Sequence, residues 1–89
     1  MSVRLENVLR VTFDDNENVA KKIEASLADE YKSFSRINRI LDVGASGVTN
    51  VYLVRPKKGS DDEKMEKQLA ALDGVRQIAI YQSDAHAPV

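Results

Sequence analysis

Residues 34–55 read FSRINRILDVGASGVTNVYLVR, and this stretch determines the predicted fold. Its centre, GASG at residues 44–47, has the composition of a tight turn, because glycine adopts backbone angles that other residues avoid. The flanking runs contain many of the β-branched and aromatic residues that favour strands. We therefore predict a β-hairpin with strands at residues 34–43 and 48–55.

On each side of the hairpin, the chain carries the pattern of one helix and one strand. Alternation over residues 7–14 predicts a first strand, and apolar residues at three- and four-residue spacing predict a helix from residue 17 to residue 31 or 32. Asp14, Asp15 and Asn16 offer side chains that cap this helix. Further on, Ser60 and Glu63 fit a capping box at the start of a second helix that ends before Gly74, and residues 75–82 predict the last strand.

This order of elements predicts an α+β fold. Two β-α-β units joined through a hairpin form a ferredoxin-like βαββαβ two-layer sandwich, with a four-stranded antiparallel sheet and two helices on one face. We expect the first and third strands in the centre of the sheet and the second and fourth at its edges. The predicted organisation is a lead-in at residues 1–6, a single domain at residues 7–82 and a polar C-terminal tail at residues 83–89.

The uncovered face of the predicted sheet is more apolar than a solvated surface requires. Alternation places Val51 and Leu53 of the third strand on the helix-covered face, with Tyr52 and Val54 on the open face. An apolar patch with arginine at its rim is typical of a protein-protein interface, although scattered surface hydrophobes are an equally good explanation. The predicted interface contacts are Arg36, Ile40, Tyr52, Val54 and Tyr81.

The composition excludes several function classes. Thirteen basic and fourteen acidic side chains give a net charge of −1, which does not favour nucleic-acid binding. The absence of cysteine and the presence of a single histidine, His86, argue against zinc sites and nucleophilic triads. We therefore predict that the chain is not an enzyme and holds no cofactor and no metal. No apolar run is long enough to span a bilayer.

The chain resembles the ACT-like regulatory domains. The features that carry the resemblance are the element order, the turn at residues 44–47 and the closing run LDGVRQIAI at residues 72–80. Within that group the chain is most similar to small cytosolic C-terminal domains of bacterial membrane proteins. Examples are the MgtC type and an uncharacterised membrane family associated with polyphosphate-polymerase-like proteins. The resemblance implies a cytoplasmic regulatory or assembly domain of a larger, membrane-anchored protein, working as a homodimer or against a flanking domain of the same chain.

One loop departs from the ACT pattern. Amino-acid-binding ACT domains commonly carry Pro-Gly after the first strand, whereas this chain has Asp14, Asp15, Asn16 and Glu17 there. The three carboxylates among them would repel a ligand carboxylate. The alternative function is therefore sensing of another small molecule or of a divalent cation, with Asp14, Asp15 and Glu17 as candidate ligands. Helix capping explains the same residues. RNA binding is a further alternative, disfavoured because the first strand offers no stacking aromatic.

Overall fold

The computed structural model describes residues 6–82, so the predicted tail and all of the lead-in except Glu6 lie outside the described residues. The βαββαβ order and the antiparallel four-stranded sheet are confirmed, and so is the strand order β2-β3-β1-β4, with β2 and β4 at the edges. The elements are β1 (Asn7–Asp14), α1 (Glu17–Glu30), β2 (Tyr31–Asp42), β3 (Gly47–Pro56), α2 (Asp62–Ala70) and β4 (Val75–Gln82).

Both helices begin at a side-chain cap. Asn16 Oδ1 accepts a hydrogen bond from the backbone N–H of Asn18 at 2.8 Å, as expected for a residue just before α1. The predicted capping box at α2 is wrong by one residue. Asp61, and not Ser60, accepts from the N–H of Glu63, at 3.0 Å. Ser60 instead donates its own N–H to the carbonyl of Lys57, which closes the preceding turn.

β2 begins three residues earlier than predicted. Tyr31 follows Glu30 directly, with φ −110° and ψ 150°, so the chain passes from helix to strand without a loop. Its N–H still donates to the carbonyl of Leu27, while its position in the sheet is opposite Pro56. Tyr31 is therefore buried as the first residue of a strand and not as the last residue of the helical stripe.

One core lies between the sheet and the two helices. The inward residues of β1 and the apolar stripes of both helices meet there, as their periodicity predicts. Gly74 has φ +95° between α2 and β4, and a Cβ atom on it would lie 2.7 Å from Val19 Cγ2. A glycine is therefore required at this position. The buried hydrophobic residues are Leu9, Val11, Phe13, Val19, Ile23, Leu27, Tyr31, Val48, Tyr52, Val54, Met65 and Leu69.

The predicted faces of β3 are wrong. Leu9 lies opposite Tyr52, Val11 opposite Asn50 and Phe13 opposite Val48, so the even-numbered residues of β3 point to the helices. Val51 and Leu53 consequently lie on the open face. Both faces of β3 carry apolar side chains, and alternation alone cannot tell which of them is covered. The pairing with β1 decides it.

Candidate functional site

Exposed apolar side chains concentrate at one part of the molecule. Among the described residues, four of the five large exposed hydrophobic residues lie at residues 37–43, and the fifth is Tyr81, which is 51% exposed. We call residues 37–43 the β2 edge segment. Its apolar members and their exposures are Ile37 56%, Ile40 44%, Leu41 50% and Val43 81%.

The β2 edge segment is exposed because the helices do not reach it. At the beginning of β2, Tyr31 is buried and Phe34 packs against the core. Beyond Phe34, every residue of the strand is exposed, on the helix side as well as on the open side. Within residues 6–82, β2 is also an edge strand that pairs with a neighbour on one side, where β3 lies. This half of β2 therefore presents apolar side chains beside an unpaired row of backbone groups.

A bulge changes the alternation in the middle of β2. Arg36 lies opposite Tyr52 and the next paired residue, Asn38, lies opposite Val51, which leaves Ile37 as an extra residue. After the bulge, Arg39 and Leu41 lie on the helix side, opposite Asn50 and Val48, while Asn38, Ile40 and Asp42 lie on the open side, opposite Val51, Thr49 and Gly47.

The open face of the sheet carries an apolar band. Val8 of β1 lies between Leu53 and Tyr81, and the next row places Arg10 between Val51 and Ala79. Leu53, Val51 and Ala79 are half-buried by their neighbours, whereas Arg10 is exposed. The band is therefore narrow and has a cationic side chain at its centre.

The structure separates the predicted interface contacts into two groups. Ile40 and Tyr81 are exposed on the open side, as predicted. The placement of Tyr52 and Val54 on the open face is wrong, since both are completely buried under the helices. The placement of Arg36 is also wrong, because its position opposite Tyr52 puts it on the helix side. Alternation failed in β3 because both faces are apolar, and it failed in β2 because of the bulge.

Tyr52 belongs to a buried polar chain that alternation did not reveal. Its hydroxyl donates to Glu24 Oε2 at 3.0 Å and accepts from Asn50 Nδ2 at 2.9 Å. Burial raises the pKa of Tyr52 to about 12, and the hydrogen bond to Glu24 adds to this rise. Asn50 is 1% exposed, and its Oδ1 finds no hydrogen-bond partner among the described residues. The only signal in the sequence was a polar Asn within an apolar strand.

Two carboxylates of the acidic loop after β1 form ion pairs with arginines. Asp14 Oδ1 lies 2.6 Å from Arg76 Nε, and the same guanidinium donates to the carbonyl of Ala45 at 3.2 Å. Asp15 lies 4.0 Å from Arg39. Glu17 occupies the first turn of α1. Within residues 6–82, no three carboxylate or histidine side chains meet in a possible metal site, so the alternative of cation sensing has no supporting geometry.

A cleft of about 280 Å³ lies at the opposite end of the fold, between the end of α1 and the start of α2. Its walls carry charges of both signs, and Lys57 Nζ donates to the carbonyl of Asp29 at 2.7 Å. The Tyr31 hydroxyl behind the cleft is buried and has no hydrogen-bond partner in the part of the chain that the structure describes. Burial raises the pKa of Tyr31 to about 12, with a further contribution from Asp62. Because the cleft walls carry charges of both signs and the Tyr31 hydroxyl is buried, the cleft does not indicate which kind of ligand it would bind.

Comparison with solved structures confirms the predicted resemblance at the level of the fold. The ACT domain of GTP pyrophosphokinase from Chlorobium tepidum superposes with a TM-score of 0.63 at 12% identity, covering 88% of this chain and 99% of that one. The C-terminal domain of the MgtC protein from Mycobacterium tuberculosis gives a TM-score of 0.64 at 14% identity, covering 97% and 95%. An uncharacterized protein from Thermotoga maritima gives 0.58 at 12% identity, covering 90% and 98%.

These similarities define the class of the fold. The chain has an ACT-like, ferredoxin-like fold, which is similar to that of an MgtC C-terminal domain. The chain matches no protein-family model, and the comparison with curated proteins finds no relative. Within residues 6–82, no helix is long and apolar enough to cross a membrane.

Proposed function

We propose that this chain is a non-enzymatic regulatory or assembly domain that works as a homodimer. The observation that carries the proposal is the β2 edge segment. Three large apolar side chains of β2, and Val43 in the turn that follows, are exposed there beside a strand edge that no strand within residues 6–82 covers. A monomer that keeps such an edge in water is prone to pair with another strand, and stable proteins normally cover or charge it. Self-association covers it.

The setting we propose is the cytoplasmic part of a larger, membrane-anchored protein. The support is the similarity of the fold to the MgtC C-terminal domain, which covers almost the whole of this chain. The sequence resemblance to cytosolic C-terminal domains of membrane proteins points the same way.

Protein is favoured over RNA as the partner. RNA recognition on a sheet of this topology requires aromatic side chains on the open face of the two central strands. The open face of β1 and β3 carries aliphatic, hydroxyl and arginine side chains instead, because Tyr52 turns into the core. The small-molecule and cation alternatives are less well supported, because Asp14 and Asp15 each lie beside an arginine.

Size-exclusion chromatography with light scattering, at several protein concentrations, tests the proposal. We expect the measured mass to approach twice 9.9 kDa as the concentration rises. Ile40→Lys should shift this equilibrium toward the monomer, because a charged residue on a strand edge disfavours edge-to-edge pairing. A mass of one chain at every concentration would contradict the proposal. Tyr52→Ser is unsuitable as an interface variant, because it removes a core side chain.

A further inference from the structure

We propose that the outer edge of β4 binds an extended peptide segment of another protein as an added strand, and that a groove beside this edge takes a lysine or arginine side chain of that peptide. The surface lies at the opposite edge of the sheet from the β2 edge segment, so the proposal goes beyond the proposed self-association. It rests on two features, which are an uncharged strand edge and a groove that carries a carboxylate.

The backbone of β4 is suited to pairing along its outer side. In the described part of the chain, β4 is the last strand of the sheet and pairs with β1 alone. From residue 77 to residue 82 it runs opposite residues 12 to 7 of β1 without an irregularity. This run, QIAIYQ, contains no charged residue and no proline, which are features that commonly protect an edge strand. An added strand can therefore pair with its outward N–H and C=O groups.

A groove runs beside this edge, between α2 and β4. Its volume is about 240 Å³, and its walls are Glu66 and Ala70 of α2 together with residues 75–78. Ile78 faces the helix layer, because it lies opposite the buried Val11. The helix presents only a methyl group at Ala70, so it does not close over the edge. A side chain of an added strand that points to the helix side next to Ile78 would enter this groove.

The charges of the groove select a cationic side chain. Arg76 also lines the groove, but its guanidinium already donates to Asp14 Oδ1 at 2.6 Å and to the carbonyl of Ala45 at 3.2 Å. Glu66 takes part in none of the ion pairs formed within residues 6–82. A lysine or arginine fits this combination, because its aliphatic stem packs against Ile78 while its charged end reaches Glu66.

A second copy of β4 does not supply this side chain. The residues of β4 that face the helix side are all uncharged, and they are Val75, Ile78 and Ile80. Pairing of β4 with its own copy would therefore place no cation beside Glu66. The partner that fits the groove is a different sequence.

The neighbours of Ile78 determine the rest of the peptide pattern. On the helix side it is flanked by Val75 and Ile80, which are half-buried and pack against the core. Residues of an added strand next to these two meet apolar surface. The pattern is therefore apolar-x-Lys-x-apolar, with arginine as the alternative at the centre. It reads the same in both directions, so it fits a parallel or an antiparallel added strand.

An NMR titration of the isotope-labelled protein with the synthetic peptide Thr-Val-Thr-Lys-Thr-Val-Thr, blocked at both ends, tests the proposal. We expect the amide signals of residues 66–70 and 75–82 to shift, and the amides of residues 77–82 to exchange more slowly with solvent. The same peptide with glutamate in place of lysine should bind about tenfold more weakly, because its central charge repels Glu66.

Two variants, each with a matched control, separate the carboxylate from the shape of the groove. Glu66→Gln should bring the two peptides to similar affinity, whereas Glu63→Gln, one turn earlier on α2 and outside the groove, should keep the preference for lysine. Ala70→Leu fills the groove and should weaken the binding of the lysine peptide by about tenfold. Ala28→Leu, at an exposed position of α1, should leave binding unchanged. Thermal melting establishes that each variant is folded.

The outcomes that would overturn the proposal are distinct. No shift at millimolar peptide, or shifts confined to the β2 edge segment, would exclude β4 as the docking edge. Equal affinity of the two peptides for the unchanged protein would exclude Glu66 as the selecting group. Signals of residues 77–82 that shift on dilution without peptide would show that a second copy occupies the edge. A dimeric mass by light scattering bears on the proposed function and on none of these results.

Discussion

The two edges of the sheet illustrate how one layer of helices protects a sheet unequally. β4 pairs with β1 and lies under α2, so its inward isoleucines pack against the core. β2 has the same edge position but extends past the end of its cover, and its second half keeps apolar side chains in water. The difference indicates that two helices of 14 and 9 residues cannot shield a 12-residue edge strand along its full length.

The largest difference in the free energy of unfolding is expected when leucine is replaced by alanine once under the helices and once at the uncovered part of β2. Leu69→Ala removes a fully buried side chain of α2 and should lower the free energy of unfolding by about 2–5 kcal/mol. Leu41→Ala at the uncovered edge, where the side chain is 50% exposed, should cost less than about 1 kcal/mol in the dilute monomer. Urea unfolding at low protein concentration measures both. Equal losses would show that the β2 edge is packed after all.

A smaller effect is expected for glycines near the two edges. Gly74 lies just before β4 with φ +95°, and the Cβ atom of Gly74→Ala would lie 2.7 Å from Val19. We therefore expect this variant to lose about 2–3 kcal/mol of the free energy of unfolding. Gly44→Ala follows β2, and its nearest neighbour would be Asp42 Oδ1 at an ordinary 3.7 Å. Its melting temperature should therefore remain close to that of the unchanged protein. If Gly74→Ala melts at the same temperature as Gly44→Ala, the tight packing of the covered edge is disproved.

The smallest effect concerns the boundary between covered and uncovered sheet, where Tyr52 lies opposite Arg36. Tyr52→Phe leaves Asn50 Nδ2 without its acceptor and should cost about 1–2 kcal/mol at neutral pH. Phe34, whose ring centroid lies 6.0 Å from that of Tyr52, keeps its aromatic contact in this variant. Chemical unfolding at pH 7 measures the loss, and an unchanged midpoint would contradict the buried polar chain.

The same residue predicts a dependence on pH. Burial raises the folded-state pKa of Tyr52 to about 12 from its ordinary 10.0, so the folded form holds this proton more strongly than the unfolded form. Its contribution to stability is therefore complete below pH 10 and is lost as the pH rises toward 12. Tyr31 shifts in the same direction, so Tyr52→Phe should reduce the alkaline loss without abolishing it. An identical alkaline profile for the variant would contradict the assignment.

Local patterns were sufficient for the element order and the resulting topology. Apolar periodicity, Asn16 as a cap and Gly74 as a stop are all short-range signals, and each agrees with the structure. The faces of β2 and β3 required information that alternation does not contain. In β3 both faces are apolar, so only the pairing of Leu9 with Tyr52 reveals the inward side. In β2 the extra residue at Ile37 puts Arg36 on the opposite face from Asn38 and Ile40, although alternation assigns all three to one face.

These limits explain the partial success with the candidate site. Ile40 and Tyr81 are exposed as predicted, and they remain candidates for interface contacts. Tyr52, Val54 and Arg36 were assigned to the open face by the same alternation that failed in their strands. The uncovered length of β2 is a tertiary property, because it depends on where α1 lies over the sheet and not on the residues of β2 alone.

The direct connection between Glu30 and Tyr31 couples the orientation of α1 to that of β2. No residue separates helix from strand, and the N–H of Tyr31 remains bonded to Leu27 of the helix while Tyr31 itself is paired in the sheet. A loop could accommodate a tilt of the helix by changing its own backbone angles, but no loop residue is present between α1 and β2. A force applied to α1 is consequently delivered to the base of β2, whose far end is the segment through which we propose that two copies meet.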